Sequence, residues 1–245
     1  MAPFELRLGE HQPPGATPLQ QGGKTPVGYD RGRALDYAAF FCNRVCSDGV
    51  IMSDVRANRR PAGALLSEVE RVSSENDCTH FISCCLGRPP AFKKPGGGTV
   101  NGGGLYISEA GFLNGGKDGV YGILNPGPLV HYLVLTRKAA YARVDAAGAL
   151  SFDAKTPHFF TNDTQTINQL RGLIQNRFPT DQGKGDFVAY FSARDRDAAH
   201  AAILVSDTWG IACHTGSRCG TQPINDVHYG HFVYVRIKDF KEDPP

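Results

Sequence analysis

The chain contains 245 residues, of which 41% are hydrophobic, and its formal net charge at pH 7 is +2. This length permits one large domain or two small ones, and the hydrophobic fraction is enough for a sizeable core. The nearly neutral charge gives no electrostatic reason to expect nucleic-acid binding, and no stretch approaches the roughly 18 consecutive apolar residues of a membrane span. We therefore expect neither a nucleic-acid partner nor a membrane span.

The first residues, MAPFELRLGEHQPPG, lack the charged start, apolar run and small-residue cleavage site of a secretory signal. We therefore expect a soluble protein that is either cytoplasmic or exported by a signal-independent route. The sequence does not indicate an oligomeric state.

The N-terminal part predicts a lead-in followed by a helix. Residues 1–28 contain five prolines and five glycines, which favours an extended or disordered segment. A helix begins after Asp30, whose side chain suits the N-cap position, and Gly49 ends it. Residues 63–75 predict a short amphipathic helix or an extended connection. The apolar residues that recur at helical spacing after Asp30 are Ala34, Tyr37, Ala38, Phe41 and Val45.

The segment DCTHFISCCLG at 77–87 predicts a second helix. Asp77 takes the N-cap position, which stabilises a helix by about 1 kcal/mol, and Gly87 follows the last turn in the C′ position. The next residues are rich in proline and glycine, so 89–104 forms a loop within an insertion at about 89–127. The apolar face of the predicted helix is Phe81, Ile82, Cys85 and Leu86.

Two more helices are predicted, and the sequence leaves open that parts of either are extended. One covers 128–144, with Pro128 in its first turn, and the other covers 163–178. The inward residues are Leu129, Tyr132, Leu133 and Ala140 in the first, and Ile167, Leu170 and Ile174 in the second.

The last third of the chain predicts strands. The β-rich runs GDFVAYFS, HAAILVS, GIACHT and HFVYVRI are separated by polar turns. Helices first and an antiparallel sheet later indicate the α+β class.

Seven cysteines cannot all pair within one chain, so at least one thiol stays reduced. The others are either reduced core residues or, for Cys213 and Cys219, a pair that closes a short loop in an oxidising compartment. The sequence leaves both possibilities open.

Cys78 is the candidate nucleophile, because it lies in the first turn of the predicted helix at 77–87. The exposed N–H groups and the positive end of the helix dipole favour the thiolate there. The same N–H groups can bind the oxyanion that forms on a substrate carbonyl. Cys84 and Cys85 lie too deep in the helix for this role and are predicted to be core residues.

Two histidines are candidates for the base that such a thiol needs. His200 begins the strand HAAILVS, and His214 lies in the next strand, GIACHT. Adjacent antiparallel strands can bring the two imidazoles side by side on one face, where one ring orients the other. Cys78, His200 and His214 are therefore the predicted catalytic set.

Five segments in this order resemble a known family: YDRGRALDYA, DCTHFIS, GDFVAYF, HAAILVS and CHTGSR. The pattern is similar to that of an amidase domain family of the papain-like fold, related to the NlpC/P60 and CHAP cysteine peptidases. The resemblance covers roughly 29–238 and implies a papain-like amidase domain at 29–240, in which N-terminal helices pack on a C-terminal antiparallel sheet or half-barrel. It implies Cys78 as nucleophile, His200 as base and His214 as third residue.

Two features depart from the family pattern. His80 stands where the family tends to have asparagine, one turn into the helix and near Cys78, so it either modifies the site or packs. The Gly-rich stretch at 96–127 is longer than expected and suggests a substrate-specific lid. This puts the usual substrate of the family in question.

The implied reaction is a two-step acyl transfer, with cell-wall (peptidoglycan) peptide as the leading substrate class by analogy. A lysis enzyme or effector, and an enzyme that acts on proteins, both fit. A deamidase or acyl transferase with the same residues is an alternative, because it shares the covalent intermediate. No metal or cofactor is assigned to this site. Trp209 either flanks the cleft or packs, and Asp77 either caps the helix or binds a substrate amine.

A non-catalytic, zinc-stabilised binding module is a further alternative. Two cysteines and three histidines within nineteen positions offer a tetrahedral set. Their spacings match no common zinc motif. The residues are Cys213, His214, Cys219, His228 and His231.

Overall fold

The structure is a computed structural model and describes residues 28–53, 56–69, 77–107, 122–192, 198–214, 218–226 and 229–238. Over these residues the fold is mixed α+β, with four α-helices and a large antiparallel sheet, as the sequence predicts. The helices are α1 (Arg31–Phe41), α2 (Cys78–Leu86), α3 (Pro126–Leu135) and α4 (Thr164–Arg177). The strands are β1 (Val50–Ser53), β2 (Arg56–Arg59), β3 (Phe92–Lys93), β4 (Thr99–Val100), β5 (Ala139–Val144), β6 (Leu150–Asp153), β7 (Phe160–Thr161), β8 (Phe187–Phe191), β9 (Ala198–Leu204), β10 (Gly210–Cys213), β11 (Arg218–Pro223) and β12 (His231–Ile237).

The large sheet has eight strands in the order β11-β10-β9-β8-β12-β5-β6, and β7 pairs with β12 beside this path. Strands β8 to β11 pair with their sequence neighbours, whereas β12 returns to lie between β8 and β5. In β1–β2 and in β3–β4 the chain forms two separate hairpins. The four β-rich runs of the last third of the chain thus form adjacent strands.

The sheet is buried on both faces. On one face alternate residues such as Ala201 and Ile203 of β9 pack with α1, α2 and α3. On the other face Ala202 and Leu204 pack with α4. Successive strand residues point to opposite faces, so a strand covered on both sides reads as a continuous apolar run. This explains why FVAYF in β8 is buried at every position.

Helices α1 and α4 follow their sequence patterns closely. Asp30 caps α1 by accepting from the backbone N–H of Arg33, and Asp163 caps α4 by accepting from that of Thr166. The predicted inward residues of both helices are all buried. Val45 is the one that lies beyond the end of its helix, α1. Helix α1 ends at Phe41, earlier than the predicted Gly49.

The predicted helix at 128–144 is wrong in its second half, because α3 ends at Leu135 and β5 begins at Ala139. Arg137 adopts a left-handed conformation, with φ of 57°, and Lys138 N–H donates to the carbonyl of Leu133. This is the hydrogen-bond pattern of a left-handed helix end, which usually carries glycine. Since position 137 is not glycine, the sequence carries no signal that the helix ends here.

The carboxyl end of α2 is closed by the glycine-rich segment rather than by a left-handed Gly87, whose φ is −98°. The backbone N–H groups of Gly103, Leu105 and Gly104 donate to the carbonyls of Cys85, Leu86 and Gly87, respectively. A Cβ at Gly102 would lie 2.3 Å from the carbonyl oxygen of Cys84. The glycines at 102–104 therefore permit a close backbone approach that satisfies the end of a buried helix.

A disulfide joins Cys42, at the end of α1, to Cys219 in β11. The suggested Cys213–Cys219 pair is therefore wrong, and Cys213 is a buried thiol in β10. The chain brings Cys42 and Cys219 to a Cα–Cα distance of 5.3 Å across a sequence separation of 177. Sequence spacing alone favours short loops and carries no sign of so distant a partner.

A buried ion network fixes the start of α1 to the sheet. Asp186 accepts hydrogen bonds from Arg31 at 2.7 Å, from Arg236 at 2.9 Å and from the Tyr234 hydroxyl at 2.5 Å. The Tyr29 hydroxyl donates to the carbonyl of Gly185 at 2.6 Å. Two of the segments that carry the family resemblance, YDR and GD, thus meet each other.

Three expectations concern residues that the structure describes only in part. The lead-in at 1–28 lies outside the described residues apart from Gly28, the insertion at about 89–127 is described except for 108–121, and 63–69 form turns. Within the part of the chain that is described, no helix is long and apolar enough to cross a membrane.

Candidate functional site

Cys78 is the first residue of α2, as the sequence predicts, and its side chain is 2% exposed. Helix α2 packs against β9, which carries His200. The Cys78 sulfur lies 3.8 Å from the hydroxyl oxygen of Thr79, and the backbone N–H groups of Ala201 and Thr79 act to lower the pKa of its thiol. The nucleophile candidate therefore lies in the helix that covers the strand of His200.

Burial is the largest influence on the Cys78 thiol and raises its pKa above the ordinary value, although these N–H groups offset part of the effect. The resting side chain is therefore a protonated thiol rather than a preformed thiolate. A neutral thiol needs a base that takes its proton during attack.

His200 is 1% exposed and lies near two aromatic rings. Its ring centroid is 5.6 Å from that of Tyr190, the residue directly opposite on β8, and 6.0 Å from that of Tyr229. The Nε2 atom of His200 is buried and has no hydrogen-bond partner among the described residues. A buried polar atom without a partner is rare and costs about 1–3 kcal/mol, which makes it a candidate for a functional role.

Burial lowers the pKa of His200 to about 4, and the nearby positive charge of Arg218 adds to the effect. The imidazole is therefore neutral at neutral pH, which is the form that can accept a proton. General-base activation of a thiol requires a base in this neutral form.

His214 does not lie beside His200 on one face of the sheet. In the β9–β10 pairing Ile211 lies opposite Leu204, and Ala212 lies opposite Ile203. The same register places position 214 opposite Ala201. Side chains alternate between faces, which directs His214 to the face that holds α2. Its ring stacks on Phe81 with a centroid distance of 4.4 Å.

Both ring nitrogens of His214 have partners on that face. Nδ1 bonds to a carboxylate oxygen of Asp77, and Nε2 donates to the carbonyl of Phe41 at 2.9 Å. His214 therefore contacts the carboxylate of Asp77, the neighbour of Cys78 in the chain.

Asp77 stands at the N-cap position of α2 but makes no capping hydrogen bond with its side chain. Instead one carboxylate oxygen accepts from the backbone N–H of Met52 at 2.7 Å and from His80 Nδ1 at 2.9 Å, and the other bonds to His214. Burial alone would raise the pKa of Asp77, but His214 and His80 outweigh it and lower this pKa to about 2. The capping role expected from the sequence is thus replaced by a buried bridge.

His80 is fully buried and contacts acidic groups at both ring nitrogens. Its Nε2 lies 2.9 Å from Asp48 Oδ2 and 3.6 Å from Cys84 Sγ, while Nδ1 faces Asp77. Burial lowers the pKa of His80, yet the carboxylates of Asp48 and Asp77 raise it well above the ordinary value. His80 therefore belongs to a polar cluster one turn below Cys78.

Trp209 is fully buried and packs rather than lining a cleft. Its ring stacks on Tyr234 at a centroid distance of 5.2 Å, and its Nε1 donates to the carbonyl of Gln182 at 3.1 Å.

The alternative zinc set of the C-terminal region loses one of its ligands in the structure. Cys219 is held in the disulfide with Cys42 and has no thiolate to offer a metal. His214 is engaged by Asp77 and Phe41, and His228 lies outside the described residues.

Sequence reasoning missed four residues that surround the candidate site. Tyr190 and Tyr229 lie near the His200 ring, Arg218 adds to the lowering of its pKa, and Asp48 binds His80. Only Tyr190 had a usable signal, since it lies in a strand run that pairs with the strand of His200. The others come from turns or edge positions with no pattern of their own.

Comparison with known proteins adds no relative, since no family model, no curated protein and no solved structure matches this chain.

Proposed function

We propose that this chain is a thiol-dependent amide hydrolase of the papain-like fold, with Cys78 as nucleophile and His200 as general base. The observations that support the proposal are the position of Cys78 at the start of α2, which packs against the strand of His200, and the buried His200 Nε2, which has no partner among the described residues. The order of the five sequence segments supports the same assignment.

The mechanism follows from two neutral partners. As the Cys78 sulfur bonds to the amide carbon, His200 takes the thiol proton and then delivers it to the leaving amine. Water releases the acyl group from the thioester in the second step and regenerates the thiol. The N–H groups of the first turn of α2 are in position to bind the oxyanion, because they have no partners within the helix.

His214 acts in this proposal as a positioning residue rather than as the orienter of His200. It holds Asp77, which is covalently next to Cys78, on the helix side of the sheet. The stacked rings of Tyr190 and Tyr229 restrict the His200 imidazole.

Access to the two reactive groups is narrow, since Cys78 is 2% and His200 is 1% exposed. A substrate carbonyl reaches the sulfur only after neighbouring side chains move. We therefore expect the Cys78 thiol to react slowly, but measurably, with small thiol reagents.

Peptidoglycan peptide is the substrate class we propose, by analogy with related papain-like enzymes. The test incubates the full chain with purified peptidoglycan fragments and follows product masses. We expect Cys78→Ala to lower the rate at least about a thousandfold, because the covalent route is lost. The matched control is Cys85→Ala, which removes an equally buried thiol from the same helix and is expected to retain activity.

Three outcomes separate the proposal from its rivals. Hydrolysis that survives Cys78→Ala contradicts the assigned nucleophile. Conversion of a protein glutamine, without release of peptidoglycan products, assigns the same residues to a deamidase or transferase instead. Absence of turnover on both substrates, together with no Cys78-dependent alkylation by iodoacetamide, overturns the enzymatic proposal.

A further inference from the structure

Four side chains with metal-binding atoms meet in a buried cluster between the end of α1 and the middle of α2. Cys46, His80 and Cys84 each offer one ligand atom, and these atoms all lie within 4.8 Å of one another. Asp48 adds a carboxylate oxygen 2.9 Å from His80 Nε2. Their side chains are buried, with that of Asp48 at 1% exposure.

The spacing of these atoms is close to that of ligands around one tetrahedral zinc ion. Bond lengths of about 2.3 Å to sulfur and about 2.0 Å to nitrogen place a sulfur and a nitrogen ligand about 3.6 Å apart. The distance between Cys84 Sγ and His80 Nε2 is 3.6 Å. The Asp48 oxygen lies nearer to Nε2 than the roughly 3.4 Å of such a site, so it needs to move outward by about half an ångström.

The groups that would orient the ligands of such a site are already in place. A histidine that binds a metal commonly donates its other ring N–H to a carboxylate, which fixes the ring orientation. His80 Nδ1 lies 2.9 Å from Asp77 Oδ1, and Asp77 is itself held by the backbone N–H of Met52 at 2.7 Å. The Asp48 carboxylate is oriented in the same way, since its Oδ1 accepts from the backbone N–H of Val50 at 3.1 Å.

The ligand chemistry favours zinc over harder ions. Two thiolates, one imidazole and one carboxylate form a soft set, whereas magnesium and calcium prefer oxygen ligands. Four protein ligands leave no open position for water or substrate, which is typical of a structural rather than a catalytic zinc. His80 and Cys84 are four residues apart on one helix face, and Cys46 and Asp48 flank Ser47 in the turn after α1.

We propose that Cys46, Asp48, His80 and Cys84 bind one structural zinc ion that joins the turn after α1 to α2. Binding releases the protons of the two thiols and of His80 Nε2 and leaves the Nδ1–H bond to Asp77 intact. The ion fixes α2 one turn below Cys78 and so stabilises the position of that residue. This site is separate from the zinc set considered at the C-terminal end of the sequence.

The test measures metal content in the full chain after purification without chelators. We expect about one zinc per chain, falling at least about tenfold in Cys84→Ala and unchanged in Cys85→Ala. The two variants remove neighbouring buried thiols from the same helix, so their comparison separates ligand loss from general destabilisation. Zinc that stays bound in Cys84→Ala overturns the assignment of the ligands.

A second measurement uses only the unaltered chain and remains decisive if Cys84→Ala does not fold. Protein stripped of metal is titrated with cobalt(II), and we expect a sulfur-to-cobalt charge-transfer band and the visible bands of a tetrahedral centre. Spectra without a thiolate band, or a Cys46–Cys84 disulfide in the mass of the non-reduced protein, overturn the proposal. Neither readout requires turnover, so failure of the proposed hydrolase leaves this inference standing, and the reverse also holds.

Discussion

His200 is a residue whose charge state is set by burial. In an unfolded chain its imidazole titrates near 6.5, whereas in the fold burial and Arg218 lower its pKa to about 4. Between these values the unfolded state binds more protons than the folded state, so the free energy of unfolding rises with pH. The neutral form that we assign to the base is therefore the form that the fold requires.

We expect His200 to lower the free energy of unfolding by about 3 kcal/mol as the pH falls from 6.5 to 4, the equivalent of its pKa shift. Urea unfolding of the wild type and of His200→Gln over this range measures the difference, because carboxylates that titrate in both proteins cancel. The loss is expected to be smaller in Arg218→Met, where one cause of the lowered pKa is removed. Identical pH profiles for wild type and His200→Gln would contradict the role of burial.

The sequence predicted the elements that carry Cys78 and His200 better than it predicted the partners of these side chains. Cys78 does begin a helix, and His200 does lie on a strand that this helix covers. The side-by-side arrangement of His200 and His214 failed because it depends on register, and a shift of one residue moves a side chain to the opposite face. The residues of the Asp77–His214 hydrogen bond are 137 positions apart in the sequence, and no local sequence pattern predicts such a contact.

At the scale of elements, α1 is attached to the sheet by charge as well as by packing. Arg31 in its first turn and Arg236 in β12 share Asp186, which is fully buried. Removing one partner of such a group leaves uncompensated charge in the interior, which costs about 3–5 kcal/mol.

We therefore expect Asp186→Asn to lower the free energy of unfolding by about 3–5 kcal/mol, measured by urea denaturation. The matched control is Asp207→Asn, which breaks the ion pair with Lys184 at 2.6 Å, where the Asp207 side chain is 61% exposed. Solvent screens that pair, so its loss is expected to cost below about 1 kcal/mol. Equal effects of the two variants would show that the Asp186 network contributes little.

Element types were predictable where caps and periodicity agreed, as in α1 and α4. They were not predictable at the end of α3, where Arg137 takes a conformation that favours glycine. The segment 89–104 was predicted to be a loop, but it contains the short β3–β4 hairpin, and the role of 102–104 depends on a close approach to α2 that only the tertiary structure reveals.

At the scale of the whole molecule, the Cys42–Cys219 disulfide closes a long loop between α1 and an edge strand of the sheet. A cross-link over a sequence separation of 177 removes much of the conformational entropy of the unfolded chain. It therefore stabilises the fold mainly through the unfolded state, by up to about 5 kcal/mol in the chain-entropy model.

We expect the double variant Cys42→Ala/Cys219→Ala to lower the free energy of unfolding by up to about 5 kcal/mol, measured by urea denaturation without reductant. Dithiothreitol is expected to produce a similar loss in the wild type and no change in the double variant, which is the control for other effects of the reagent. An unchanged midpoint in the double variant would contradict a stabilising role.

All nine residues of α2 are buried, so this helix has no solvent-exposed face that would tolerate substitutions. Helix α4, by contrast, buries only Ile167, Leu170 and Ile174 and presents its remaining side chains partly or fully to water. Natural variants of this chain should therefore carry substitutions at the exposed positions of α4, with the helical period. The residues of α2, which include Cys78 and His80, should all be conserved.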